Sequence, residues 1–213
     1  MKGSRQTLLE RNLFEKRAWD AHKVLIGIDE VGRGCLAGPV AAAAVIVPAY
    51  TEHKLLVDSK TITENQRQKA FDWIKHNAFY GWAAVDHRYI DSTSIVEATK
   101  RAMVRSVYQL LLRWRDIETV SGVVVDAVHP VIPCFDGRVV SFCHGEDLSI
   151  SIAAASIVAK VHRDALMSGL AQSFPYYALD KHKGYSTEQH CKAIRKDGMS
   201  IVHRKTFAHT GWR

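Results

Sequence analysis

Residues 24–48 read Val24-Leu25-Ile26-Gly27-Ile28-Asp29-Glu30-Val31-Gly32-Arg33-Gly34-Cys35-Leu36-Ala37-Gly38-Pro39-Val40-Ala41-Ala42-Ala43-Ala44-Val45-Ile46-Val47-Pro48. Two apolar runs flank eight residues that hold three glycines and a proline. Short apolar runs bounded by glycine and proline mark strands, so residues 24–29 and 40–47 are expected to pair as a hairpin. The first run ends in two adjacent carboxylates, Asp29 and Glu30. Neighbouring strand residues point to opposite faces, and both acids reach one place only if the backbone turns, which the following glycines permit.

Outward from this hairpin the pattern alternates. Thr63 is placed to cap a helix over residues 64–76, with Ala70, Trp73 and Ile74 on one face. Residues 79–85 read as a strand, and 94–114 as a helix with Ile95, Ala98, Ala102, Val107 and Leu110 in helical register. Val123-Val124-Val125 belongs to a short buried strand over 122–126 that ends in Asp126. A further strand is expected at 139–142, and an alanine-rich helix at 150–170. Strands, then alternation, then helices imply a mixed α/β or α+β layer fold. No internal repeat, low-complexity tract or long Gly/Ser linker divides the chain.

At 213 residues, with 47% hydrophobic and 24% charged, the chain has ordinary globular composition and is long enough to fold without disulfides. Cys35, Cys134, Cys143 and Cys191 lie far apart with no C-x-x-C pair, which argues against a zinc ribbon or a disulfide framework and for a reducing, cytoplasmic setting. The first 19 residues are charged and lack the apolar segment of an export signal. The longest apolar stretch, residues 36–50, is interrupted by Gly38, Pro39 and Pro48, too short and broken for a membrane span. Net charge is +7; residues 181–213 hold eight Lys or Arg against Glu188 and Asp197, so +6 of it sits there, as suits a polyanionic partner.

Asp126 is the second acid to end an apolar strand, and Glu146-Asp147 add a third acidic element just before the helix at 150. Ligands gather outside the carboxyl ends of strands in open α/β sheets, and clustered carboxylates are a hard-oxygen set suited to Mg²⁺ or Mn²⁺. In a basic protein such a cluster fits two-metal hydrolysis of a phosphodiester, where the protein mainly positions and neutralises. The segment Gly32 to Ala37 formally matches G-x-G-x-x-A. Gly38-Pro39 leaves no room for the helix that would hold a pyrophosphate, and the two acids would repel one. These glycines instead suit close approach to a nucleic-acid strand, with Arg33 touching phosphate or sugar. Ser156, Lys160 and Arg163 fall at i, i+4 and i+7, a stripe that either holds one phosphate or faces solvent. Tyr185, beside Lys183 and Gly184, offers an aromatic face for stacking. The spacing of His182, His190 and Cys191 does not suit zinc, and no G-x-S-x-G elbow supports a serine hydrolase.

Taken in order, Gly27-Ile28-Asp29-Glu30-Val31-Gly32-Arg33-Gly34, Leu36-Ala37-Gly38-Pro39-Val40, Asp58-Ser59-Lys60, Asp126, the run from Ile152 to Val161 with Arg163-Asp164, His182-Lys183-Gly184-Tyr185-Ser186-Thr187 and His203-Arg204-Lys205-Thr206-Phe207-Ala208 resemble the ribonuclease HII family across nearly the whole chain. The resemblance implies an RNase H-like α/β fold, a central mixed sheet flanked by helices, in a single catalytic domain whose residues from about 175 to 213 form a small, helical, basic substrate-binding part. It implies hydrolysis of RNA in RNA–DNA hybrids and incision 5′ to single ribonucleotides in duplex DNA, leaving a 3′-hydroxyl and a 5′-phosphate, with Mg²⁺ or Mn²⁺. By the same resemblance Asp29, Glu30 and Asp126 are catalytic metal ligands. Gly32, Arg33, Gly34 and Tyr185 recognise the ribose 2′-hydroxyl at the RNA–DNA junction, Ser156, Lys160 and Arg163 form a downstream phosphate pocket, and Ser59 and Lys60 touch the nucleic-acid backbone. Two departures stand out. Ala127 replaces the family's glycine, and the fourth carboxylate, ten residues before Ser156, is Glu146 rather than Asp, with Asp147 as the alternative after a one-residue shift. With 28 residues before Asp29, the added N-terminal domain of ribonuclease HIII is not expected. A monomer is expected. A catalytically inactive hybrid-binding module is the competing reading; it would have no need of the acids.

Overall fold

The computed structural model of the protein describes residues 12–126, 128–133, 135, 137–142 and 145–207. In chain order the helices and strands are α1 (Leu13–Asp20), β1 (Val24–Val31), β2 (Val40–Ile46), α2 (Glu64–Asn77), β3 (Phe79–Val85), α3 (His87–Ser92), α4 (Ile95–Leu111), β4 (Val120–Asp126), β5 (Arg138–Phe142), α5 (Gly145–Leu148), α6 (Ile150–Ser173), α7 (Leu179–His182) and α8 (Glu188–Asp197). The five strands form one mixed sheet in the order β3-β2-β1-β4-β5. The expected hairpin is present: β1 runs antiparallel to β2, with Gly27 opposite Val45. On its other side β1 runs parallel to β4, with Ile28 opposite Val125, and β4 is in turn parallel to β5.

Period-two alternation sorts the strand side chains between two layers. Ile26, Ile28, Ala42 and Ala44 pack with Ala102, Met103, Val107 and Leu110 of α4. Ala43 and Val45 face the other way, onto Ala154, Ala155, Ile157 and Val158 of α6 and Phe71 and Ile74 of α2. Each fully buried Val or Ile in these layers contributes roughly 1.5–3 kcal/mol, so the sheet is held by its faces, while the glycine-rich loop between β1 and β2 buries Cys35, Leu36 and Ala37. The helix starts follow local chemistry. Thr63 makes a reciprocal capping box with Gln66, and Ser94 and Ser149 cap α4 and α6.

α6 approaches β1 very closely at Gly27, where an added Cβ would lie 2.2 Å from the Ser151 carbonyl carbon and 2.4 Å from the Ile152 nitrogen. That glycine sets how near α6 comes to the end of β1. α1, not read from the sequence, ties down the same helix start: buried Glu15 accepts from the Ser149 hydroxyl and the Ser151 N–H, and Asn12 Oδ1 accepts from Ile150 N–H. α3 is likewise an addition, α4 ends at Leu111 rather than near Trp114, α6 continues to Ser173, and α8 falls within the helical part expected from about residue 175. The last helices pack Tyr177, Leu179, Cys191 and Ile194 against Leu36, Ala37 and Met167. Among the described residues no helix is long and apolar enough to cross a membrane, and Cys35 and Cys191 are free and buried. Ala127, Cys134, Cys143 and His144 lie outside the described residues.

Candidate active site

Ile28 and Val125 are the last paired residues of β1 and β4, so Asp29 and Asp126 follow them side by side on adjacent parallel strands, which lie roughly 4.8 Å apart. Asp29 is buried, and its carboxylate accepts from Glu30 N–H at 2.7 Å. Gly145 N–H donates to Asp126 Oδ1 at 3.1 Å, which docks the start of α5 on the end of β4. The next residue, Glu146, is thereby buried beside the strand ends, while Asp147 faces solvent. Three sequence-distant segments thus bring Asp29, Glu30, Asp126 and Glu146 to one edge of the sheet.

These acids are in a poor state for anions. Burial first, and then the charges of Glu30 and Asp126, hold Asp29 well above the usual carboxylate range. Burial also raises Glu30, against the opposing pull of Arg33, and raises Glu146, with Asp126 adding to the shift. Glu30 Oε2 and Glu146 Oε2 are buried with no hydrogen-bond partner. Among the described residues no three acids are already drawn into a ready-made coordination shell, and their partners say why. Glu30 Oε1 is 3.2 Å from Arg33 Nη1, Glu146 Oε1 is 3.7 Å from Lys60 Nζ, and Asp126 is held by Gly145. Each of these acids is thus held by a cation or donor of its own. Two orphaned carboxylate oxygens and raised affinities for protons are what a hard divalent ion relieves.

Some of the residues expected to meet nucleic acid lie beside these acids, and others gather around Tyr185. Ser59 is buried, with its hydroxyl 2.7 Å from that of Ser156, and Ser156 in turn favours the ionised form of Asp29. Lys60, beside Ser59, has a mostly exposed side chain. Arg67 holds this loop by donating to the Ser59 carbonyl from Nε at 3.1 Å and Nη2 at 2.8 Å. Tyr185 is 39% exposed, and Lys160 Nζ and Arg163 Cζ each lie 5.8 Å from its ring centre.

The phosphate-pocket reading of Ser156, Lys160 and Arg163 needs correction at Arg163. Its side chain is fully buried and donates to the carbonyls of Pro39, Lys183 and Ala37, so it is turned into the protein rather than toward a phosphate. Lys160 remains near the surface but shares its charge with Asp164 at 2.9 Å.

Sequence reasoning also assigned no role to a histidine trio beneath Tyr185. His190 Nδ1 donates to the Tyr185 carbonyl, its Nε2 lies 3.1 Å from His203 Nε2, and its ring stacks on His182 at 4.3 Å. Ser200 N–H donates to His203 Nδ1, so His203 donates from Nε2 to His190, and burial lowers His203 to about 4. All three rings serve as neutral struts for the segment that presents Tyr185. The spacing of 8 and 13 residues between them carries no recognisable signal.

The family model described as Ribonuclease HII matches residues 26–212. The Ribonuclease HII of Ruminiclostridium cellulolyticum is 42% identical over 91% of this chain and 74% of its own length. That of Acholeplasma laidlawii is 39% identical over 92% of this chain and 93% of its own. Among solved structures, the ribonuclease H2 of Pyrococcus horikoshii superposes with a TM-score of 0.70 at 22% identity, covering 87% of this chain and 94% of that one. A Bst-RNase HIII in complex with Mn²⁺ superposes with a TM-score of 0.68 at 21% identity, over 88% and 68%. At these identities the structures speak to the fold.

Proposed function

The chain belongs to the ribonuclease HII family, and from that premise we propose that it both hydrolyses the RNA strand of RNA–DNA hybrids and incises duplex DNA 5′ to a single embedded ribonucleotide, leaving a 3′-hydroxyl and a 5′-phosphate. Family membership makes it a ribonuclease H-type, divalent-metal-dependent nuclease acting on RNA–DNA hybrids. The observation that carries the finer reading is the gathering of Asp29, Glu30, Asp126 and Glu146, two of them with orphaned buried oxygens, in a chain of net charge +7.

Those four carboxylates fit Mg²⁺ or Mn²⁺ and would hold two such ions; Mn²⁺ is present in the superposed Bst-RNase HIII. When bound, the ions supply the positive charge that lowers the cost of water attack and of the departing oxygen. The chain's own side chains do the rest. As Glu30 and Glu146 turn from Arg33 and Lys60, both cations become available to phosphates of the substrate. Ser59 and Ser156, fixed on each other beside Asp29, orient the strand next to the acids. Gly32, Arg33 and Gly34 present backbone to the ribose, while Tyr185 offers its ring to the neighbouring sugar or base. The basic part from about residue 175 adds attraction for the duplex, in a cytoplasmic, monomeric protein.

A labelled DNA duplex with one ribonucleotide, incubated with Mg²⁺, with Mn²⁺ and with chelator, tests the reading. A metal-dependent nick on the 5′ side of the ribonucleotide is expected; cleavage of long hybrids alone would remove the junction reading, and binding without any cleavage would favour an inactive module.

A further inference from the structure

The loop over residues 32–39 is held from beneath by two arginines. Arg204, fully buried, donates from Nε to the Gly38 carbonyl at 3.0 Å, from Nη1 to Arg33 at 2.8 Å and from Nη2 to Gly32 at 2.7 Å. Its backbone N–H takes the Leu36 carbonyl at 2.8 Å. Arg163 takes those of Pro39 and Ala37. Six of the loop's eight carbonyls are therefore turned inward.

In a trans peptide the C=O and the following N–H point in opposite directions. With the Gly32 and Arg33 carbonyls facing in, the N–H groups of Arg33 and Gly34 face out, and neither has an acceptor among the described residues. Gly34 has open space where a Cβ would stand, and Gly32, at φ +90°, has its own Cβ position filled by Arg163 Nε at 2.1 Å. Nor does any carboxylate pair with Arg163 or Arg204 among the described residues; the salt bridges there involve other cations. Burial first, with the charge of Arg163 also opposing protonation, brings Arg204 down to about 10. Two desolvated guanidinium groups, met by carbonyl dipoles and by the rings of Tyr185 and Phe207 but by no paired carboxylate among the described residues, leave a positive field under two free N–H donors, the arrangement of an anion-binding concavity.

We propose that Arg163 and Arg204 are positioning residues for the substrate: they turn the loop inside out so that the Arg33 and Gly34 N–H groups and the charge beneath them receive the sugar–phosphate backbone of the ribonucleotide-bearing strand. This rests on the junction reading above. Lysine cannot replace either, because one ammonium does not fork across three carbonyls in a plane. Asp91 anchors the device from outside, accepting from Lys205 N–H at 2.9 Å, Thr206 N–H at 3.0 Å and the Thr206 hydroxyl at 2.7 Å, which fixes the segment carrying Arg204.

Arg204→Lys and the milder Asp91→Asn test it, with KM and kcat measured on a single-ribonucleotide duplex and on a uniform hybrid, duplex affinity in chelator, and Mn²⁺ affinity of the protein alone. For Arg204→Lys, KM on the single-ribonucleotide duplex should rise about tenfold with kcat within about twofold, as for loss of a charge-assisted contact. The uniform hybrid should suffer less, Mn²⁺ affinity should hold, and Asp91→Asn should shift KM in the same direction by a smaller factor. Unchanged KM in Arg204→Lys overturns the proposal, as does an equal rise on both substrates or a joint loss of kcat and Mn²⁺ affinity. If Arg204→Lys does not fold, Asp91→Asn decides by the same criteria. If the wild type does not nick the single-ribonucleotide duplex, the junction reading falls separately; affinity for the hybrid in chelator then decides, a drop in the variant supporting the positioning role and no drop overturning it.

Discussion

The N–H of Gly145 donates to Oδ1 of Asp126 at 3.1 Å, so one carboxylate both ends β4 and seats the turn that carries Glu146. An asparagine at 126 keeps an acceptor for that bond and removes the charge. Asp126→Asn is expected to lose cleavage of an RNA–DNA hybrid by at least about a hundredfold, as for loss of a metal ligand, while hybrid affinity in chelator stays measurable. Unchanged turnover would remove Asp126 from the metal site.

Glu146 and Asp147 differ in which way they face. Glu146 is buried with an orphaned oxygen and Asp147 is exposed. Glu146→Gln should therefore cost cleavage by about tenfold to a hundredfold or more, and Asp147→Asn should leave the rate within about twofold. The reverse ranking would hand the fourth carboxylate to Asp147.

The raised proton affinities of Asp29, Glu30 and Glu146 set a pH dependence whose sign is fixed. In the unfolded chain these acids ionise at their ordinary, lower values, so as pH rises from there through the raised folded values the unfolded state releases protons first and the metal-free fold loses stability. Under the proposed metal site, Mg²⁺ or Mn²⁺ would bind the ionised form and reverse the loss. Thermal melts should show a metal-induced rise in Tm that is larger at pH 8 than at pH 5, and cleavage should climb over the same interval. A metal effect on Tm that is equal at both pH values would contradict the assignment of these acids.

Tyr185 stands between exposed surface and the buried loop clamp. Tyr185→Ala should lower kcat/KM more on a duplex with one ribonucleotide than on a uniform hybrid, by about tenfold on the former, in line with the loss of a stacking contact. Equal losses would make the ring a general contact instead of a junction reader.

Gly27 is where α6 and β1 come closest. Gly27→Ala should destabilise the fold by roughly 3 kcal/mol or more, since the new methyl meets backbone that cannot swing aside. Denaturant unfolding with an unchanged midpoint would show that α6 has room to retreat.

The parts of this molecule that are legible in the sequence are those governed by local rules. Val123-Val124-Val125 reads as buried strand, Thr63 announces a helix start, and the acids that end two apolar runs mark strand ends that the structure brings side by side. Arg163 was misread because helical spacing says which residues share a face and nothing about what arrives opposite. Pro39, which accepts from it, is 124 positions away. Glu15 and the histidine trio escaped notice for the same reason, since their partners are remote in the chain and their spacing matches no local motif.

The guanidinium that sets residues 32 and 33 comes from position 204, 171 and 172 residues later. Residues 32–39 therefore take their final shape through contacts of very high sequence separation, which form only once the intervening sheet and helices have brought the two segments together.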